Sequence, residues 1–217
     1  MAGQSLMEIY ELLYERFGPQ HWWPGDGRFE IIVGAILTQN TNWGNVERAI
    51  ANLKAAGALD PAAIHEMPGE TLAGLIRPAG YFNVKAARLK SFMNWLFETY
   101  GGDVDAPAAE DLQTLRRRLL AVKGVGRETA DSILLYAYDK PIFVVDAYTA
   151  RVAVRHQLID ADADYEQLRE LFQWGLPEDV RLFNEFHALI VRVGKEYCRP
   201  TARCAGCPLE ALPHTPA

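Results

Sequence analysis

The sequence predicts an all-α protein. Apolar residues recur at three- and four-residue intervals along most of the chain, and capping side chains stand just ahead of several of these stripes. One short run alone has the β-branched density of a strand. The composition suits one large or two small domains: 217 residues, 49% hydrophobic and 23% charged.

Ser5-Leu6-Met7-Glu8 fits a capping box, and Met7, Tyr10, Leu13, Tyr14 and Phe17 follow at helical spacing. Val46, Ala49, Ile50 and Leu53 make a second stripe. Asp60 with Pro61 is a cap and first-turn pair that opens a short helix to about Met67. Leu89, Phe92, Met93, Leu96 and Phe97 mark a long helix ending near Gly101-Gly102. Further helices are predicted around Leu112, Leu115, Leu119 and Leu120, around Tyr165, Leu168, Leu171 and Phe172, and around Leu182, Phe183, Phe186, Leu189, Ile190 and Val193. Ile142 to Val145 reads as a strand, too short and isolated to build a sheet. No repeat or low-complexity segment occurs, and the proline-rich tail from Pro208 is expected on the surface.

The net charge of −6 argues against a protein that coats nucleic acid. It leaves room for a DNA enzyme, because a local basic face is enough to bind phosphates. No apolar run approaches the ~18–20 residues that span a bilayer. The N-terminal segment lacks a basic region followed by an apolar block, so no secretion signal is expected and a cytoplasmic location follows. Cys198, Cys204 and Cys207 lie close together near the C-terminus. An odd cluster of this kind reads better as a metal site than as a disulfide framework.

One segment carries a sharper signal. Leu112 to Leu120 is predicted as a helix, Val122 to Gly126 as a tight turn, and Arg127 to about Tyr136 as a second helix. Gly124 and Gly126 permit backbone angles closed to other residues and allow a ligand close to the main chain. Amides opening the second helix would favour an anion such as a DNA phosphate, with no sequence readout. The same glycines would also serve close packing of two helices.

Leu-x-x-Val-Lys-Gly-Val-Gly-Arg-Glu-Thr-Ala, followed about twenty residues later by Val144-Val145-Asp146, resembles the helix-hairpin-helix glycosylases of the endonuclease III superfamily. Ile36-Leu37-Thr38-Gln39-Asn40-Thr41 is similar to the family's LxxQxT segment, and Gly80 to Ala86 to its G-hydrophobic-aromatic-N-x-K-A turn. The cysteines fall where many members hold an iron–sulfur cluster. The resemblance spans nearly the whole chain and implies a two-lobed, endonuclease III-like helical fold. Residues 25–144 would form one lobe ending in the hairpin. Residues 1–24 and 145–217 would form the other, with the Cys-cluster loop at 198–214 and an active cleft between the lobes.

The resemblance implies roles residue by residue. Asp146 would act at the sugar of a flipped nucleotide, stabilising positive charge or activating water; from sequence it also reads as an N-cap for a helix over Ala147 to His156. Gln39 would fill the gap left by the flipped base, unless it is a buried amide with core partners. Tyr81 would wedge into the stack. Lys123, Gly124, Val125, Gly126 and Arg127 would contact the DNA backbone. Members that also cut the backbone carry a lysine where this chain has Glu128, so a monofunctional enzyme without lyase chemistry is implied.

His21-Trp22-Trp23-Pro24, Trp43 and the Val144-Val145-Asp146-x-Tyr segment resemble the compact bacterial 3-methyladenine glycosylases of the same superfamily. Aromatic faces suit a cationic methylated purine. Trp22, Trp23, Trp43 and Lys195 would line the base pocket; the plain alternative makes these tryptophans core. Leu189 departs from that subfamily, which has a lysine there. Trp95 and Trp174 read as core or helix packing, and His187 as a core histidine. The substrate expected is damaged double-stranded DNA carrying alkylated purines, met by a monomer; oxidised pyrimidines, or lesion binding without cleavage, are the alternatives. The cysteine spacing is C-x5-C-x2-C, against the family's C-x6-C-x2-C-x5-C, and Pro213 stands where the fourth cysteine would be. Three readings follow: a [4Fe–4S] cluster on Cys198, Cys204 and Cys207 with or without His214, a zinc site on the same four residues, or free thiols.

Overall fold

The structure, a computed structural model, describes residues 5–23 and 25–215. Among these residues it is all helical: α1 (Leu6–Phe17), α2 (Arg28–Leu37), α3 (Trp43–Ala55), α4 (Pro61–Glu66), α5 (Gly69–Leu75), α6 (Phe82–Tyr100), α7 (Leu112–Ala121), α8 (Arg127–Ser132), α9 (Ala147–Arg155), α10 (Tyr165–Gly175) and α11 (Val180–Glu196). No described helix is long and apolar enough to cross a membrane. The chain divides into two compact units. One is Trp23–Lys140, and the other joins the segment up to Trp22 to the chain from Pro141 onward.

Caps fix where most helices begin. The Ser5 hydroxyl accepts the Met7 amide at 3.2 Å. Asp60 and Asp111 accept the amides of Ala63 and Thr114 at 3.0 and 2.9 Å. Asp179 accepts that of Leu182 at 2.7 Å. Asp164 and Gln167 form a reciprocal capping box ahead of α10. Each such cap contributes on the order of 1 kcal/mol.

In the Trp23–Lys140 unit, α2 is the central helix. Ile32 to Leu37 are all buried, and α2 packs against α3, α6 and the helical turn that follows α8. That turn is a correction to the sequence reading. The second helix of the hairpin is α-helical only to Ser132; Ile133–Ala137 then widens into a π turn. All five of its residues are buried, so packing sets the local winding against the α-helical default. Beneath the hairpin, Arg116 grips Asp131 with Nε to Oδ1 at 2.7 Å and Nη2 to Oδ2 at 3.1 Å. The Asp131 side chain is 0% exposed, so this fork joins α7 to α8 away from water. Trp95 is half-buried and packs on Phe92 and Tyr100 of its own helix, the helix-packing half of the expectation.

The other unit is built on α11, whose buried face runs through Phe183, Phe186, His187, Leu189, Ile190 and Val193. It packs against α1 and α9. Ile142 to Val145 is not a strand. All four residues are buried without a strand partner, and the Gln173 amide takes the partner's place. Its Oε1 accepts the Phe143 amide at 2.8 Å and its Nε2 donates to the Pro141 carbonyl at 3.0 Å. One side chain thus takes up one amide of the buried, strand-like run and the carbonyl just before it. Trp174, read as packing, is 80% exposed instead.

Because Asp131 is a fully buried carboxylate, removing Arg116 takes away two of the donors that offset its charge. Arg116→Met should lower stability by about 3–5 kcal/mol, read as a reduced urea midpoint at unchanged slope. A loss below about 1 kcal/mol would show that other donors carry Asp131.

Candidate functional site

The hairpin lies in the Trp23–Lys140 unit. Val125 N donates to Val122 O at 3.0 Å, closing the turn. Val122 and Val125 point into the core, while Lys123, Gly124, Gly126, Arg127 and Glu128 are exposed. Of the expected phosphate-contacting residues, Val125 therefore offers only its main chain. Gly124 has φ +90°, and a Cβ there would overlap Cγ of Arg88. Both the backbone angle and the neighbour require glycine.

Gln39 is held against this turn. Its Nε2 donates to Thr129 Oγ1 at 2.8 Å and to Gly124 O at 3.2 Å, and its Oε1 accepts from Arg88. The amide is half-buried, with partners on both its nitrogen and its oxygen. Tyr81 is the reverse case. Its ring is 72% exposed, and its backbone lies in the left-handed region at φ 44°. Such a conformation is uncommon for a non-glycine residue and collects at functional segments. His21 and Asn40 also have positive φ, beside Trp22 and Gln39.

Lys85 links the Gln39 and Tyr81 segments. It is 1% exposed, and its ammonium donates to Leu37 O at 2.8 Å and Ala79 O at 2.7 Å. Burial, with Arg88 nearby, lowers its pKa. Each carbonyl stands two residues ahead of a candidate side chain, so one buried charge fixes the roots of both loops.

The aromatic residues separate. Trp23 meets Trp43 edge-on at 4.9 Å and stacks on Tyr136 at 5.0 Å. Gly34 lies beneath, where a Cβ would stand 3.3 Å from Trp43 and 3.4 Å from Trp23. The Trp43 indole donates to Glu47 at 2.9 Å. Trp22 belongs to the other unit and meets His187 edge-on at 6.4 Å. Pro24 lies outside the described residues. Lys195 is exposed at the end of α11, and Leu189 is a fully buried core residue.

Asp146 opens α9 as its N-cap. Its Oδ1 accepts Tyr148 N at 2.9 Å, Thr149 N at 2.8 Å and Thr149 Oγ1 at 3.0 Å. Its Oδ2 faces His187 Nε2 at 3.6 Å. Burial alone would raise the Asp146 pKa, but the His187 imidazole and the Thr149 donors outweigh it and hold the carboxyl below its ordinary range. His187 is buried, as a core histidine should be, and it also faces the Asp146 carboxylate. The signal was an imidazole on the apolar face of a strongly amphipathic helix.

Cys198, Cys204, Cys207 and His214 line one recess with Arg155 and His156. Burial raises the Cys207 thiol pKa, and the nearby Cys198 and Cys204 add to the effect. Arg155 donates to Cys198 Sγ at 3.4 Å and to the carbonyls of Arg199 and Pro200 at 2.6 and 2.8 Å. His214 and His156 each direct Nδ1 at a carbonyl, of Leu212 at 2.8 Å and Pro213 at 3.2 Å. Among the described residues, no three His, Cys, Asp or Glu side chains stand close enough to share one metal ion. The thiols line the recess without converging on a point. Three thiols facing one recess are a donor set that an iron–sulfur cluster or a zinc ion could take up.

Residues 33–178 match the family model for HhH-GPD superfamily base excision DNA repair proteins. A Methanocaldococcus jannaschii protein classed as a DNA repair glycosylase is 47% identical over 208 residues, covering 95% of this chain and 94% of its own. Endonuclease III of Escherichia coli K12 is 29% identical over 185 residues, 85% of this chain and 82% of the relative. The crystal structure of an H. pylori 3-methyladenine DNA glycosylase bound to 1,N6-ethenoadenine matches with a TM-score of 0.77 at 28% identity, over 89% of this chain and 98% of that one. An endonuclease III–DNA complex matches with a TM-score of 0.82 at 21% identity, over 96% and 95%, and supports the fold alone. With its endonuclease III-like helical fold and its hairpin, the chain belongs to the HhH-GPD superfamily of base excision DNA repair proteins.

Proposed function

We propose that this base excision repair glycosylase is monofunctional and releases alkylated purines, 3-methyladenine among them, from double-stranded DNA. The observation that carries the reading is Asp146, a largely buried carboxylate held in its ionised form with Oδ1 committed to the helix cap. An ionised carboxylate stabilises a sugar cation or takes a proton from water, but it has no proton to give a leaving base. It therefore suits a base that leaves unaided. A 3-methylated purine is already cationic and departs as a neutral molecule.

The step balances simply. The C1′–N bond breaks and its electron pair leaves with the base. A water oxygen bonds to C1′, and the proton it loses passes by way of Asp146 to solvent. The exposed Tyr81 ring, at its left-handed turn, would enter the base stack. Gln39 would fill the vacated space after leaving Arg88 and the hairpin. The exposed hairpin at Lys123, Gly124, Gly126 and Arg127 would hold phosphate, with Val125 as its core anchor. Trp43 and Trp23, with Trp22 and Lys195, would meet the cationic base. The H. pylori relative, a 3-methyladenine glycosylase, supports this substrate class.

Cys198, Cys204 and Cys207 would hold a [4Fe–4S] cluster, with His214 as the remaining ligand. When bound, such a cluster would pin the loop after α11 and leave the base-release chemistry to side chains. The purified protein should contain iron and acid-labile sulfide, and Cys207→Ser should lose both. Stoichiometric zinc, or no metal, would overturn this assignment.

Freed bases chromatographed before any alkali step should include 3-methyladenine from methylated DNA and nothing from DNA bearing oxidised thymine. Asp146→Asn should slow release on the order of 100-fold or more. Release from the oxidised substrate alone would place the enzyme with pyrimidine-specific relatives, and lesion binding unaffected by Asp146→Asn, with no release at all, would mean a non-catalytic binder. Borohydride should trap little covalent complex on abasic DNA, and Glu128→Lys should increase trapping. Strong trapping by the wild type would remove the monofunctional assignment.

A further inference from the structure

We propose that His187 is a positioning residue for Asp146, keeping the second carboxylate oxygen ionised and aimed as the glycosidic bond breaks. The inference rests on the catalytic reading of Asp146 given above. The two oxygens of that carboxylate are unequally engaged. Oδ1 has three donors from the first turn of α9 and is committed to the cap. Oδ2 faces the His187 imidazole, whose Nε2 stands 3.6 Å away. That separation is longer than a formed hydrogen bond, yet short enough for a strong charge–dipole attraction in a site withdrawn from water. Oδ2 is steered by the ring while keeping lone-pair capacity for a sugar cation or a water.

The setting of His187 supports a specific role. Its side chain is 6% exposed and sits between Phe186 and Ala188 on the buried face of α11. A polar ring buried there is costly unless it finds polar partners. A leucine or phenylalanine would fill the same space without that cost. The imidazole also meets Trp22 edge-on, so it spans from a candidate pocket wall to the candidate catalytic carboxylate. Around Asp146, the other polar groups are the Tyr148 and Thr149 amides and the Thr149 hydroxyl, all on Oδ1. His187 thus acts on the oxygen that the cap leaves available. No proton is transferred to or from it in this role.

The test compares wild type, His187→Gln and His187→Phe in single-turnover release of 3-methyladenine from methylated duplex DNA. Affinity for DNA containing a stable abasic analogue and the pH profile are measured alongside. His187→Phe should slow release on the order of 10- to 100-fold with little change in affinity. Its acid limb should move to higher pH, because the carboxyl is active when ionised and loses a neighbour that holds its pKa down. His187→Gln, which keeps a donor at similar reach, should recover part of the rate. A wild-type rate in His187→Phe, or an unmoved acid limb with equal losses in both variants, would overturn the proposal. If His187→Phe fails to fold, His187→Leu, which also removes the donor, takes its place: a wild-type acid limb would overturn the proposal and a raised one would support it. Asp146→Asn separates the two readings: if it releases base at the wild-type rate, the catalytic assignment itself fails. If it is inactive while the His187 variants match wild type, this inference alone fails.

Discussion

The fork between Arg116 and Asp131 is the constraint around which the hairpin unit is organised. A carboxylate without water contact must be matched by its partner in both distance and plane, so α7 and α8 have one acceptable relation. The turn between them inherits that relation. Gly124 can then take the left-handed angle that places Arg88 against it, and Arg88 in turn grips Gln39. Lys85 extends the same logic. A lone buried ammonium bonded to two carbonyls ties the segments that carry Gln39 and Tyr81. The exposed, irregular parts of this unit hang from charges sealed inside it.

Much of this organisation was readable from local chemistry. Helix periodicity and the caps at Ser5, Asp60 and Asp146 needed only neighbours a few residues away, and they appear where the spacing placed them. What could not be read was set by distant partners. Asp131 looks like any polar residue on a helix until Arg116 is found opposite it. Ile142 to Val145 has the composition of a strand, but the Phe143 amide bonds to Gln173, thirty residues on, and not to a neighbouring strand. The π turn at Ile133–Ala137 follows from packing, which no local propensity encodes. Trp174, an aromatic at helical spacing, turned outward because α10 buries a different face. At the candidate site, Asp146 was legible as a cap and by resemblance, whereas the approach of His187 to its carboxylate became visible only when α11 was set beside α9.

Asp146 also shows how one residue serves two ends. A carboxylate capping a helix gains donors that favour its charged form, and its burial keeps water from competing for it. The cap donors thus add to the effect of His187 in favouring the ionised carboxyl on which the proposed chemistry draws. A serine or asparagine could replace the cap at modest cost in stability, but neither would carry the charge.

The left-handed backbone at Tyr81 has an evolutionary consequence. A residue held at φ 44° cannot be β-branched without severe crowding, so valine, isoleucine and threonine are closed to this position. The side chains open to it are those with at most one heavy substituent on Cβ, and glycine, which would relax the backbone and leave nothing to project. Related proteins that retain this turn can vary the length and polarity of the projecting group, but the geometry of its first bond restricts them to a short menu.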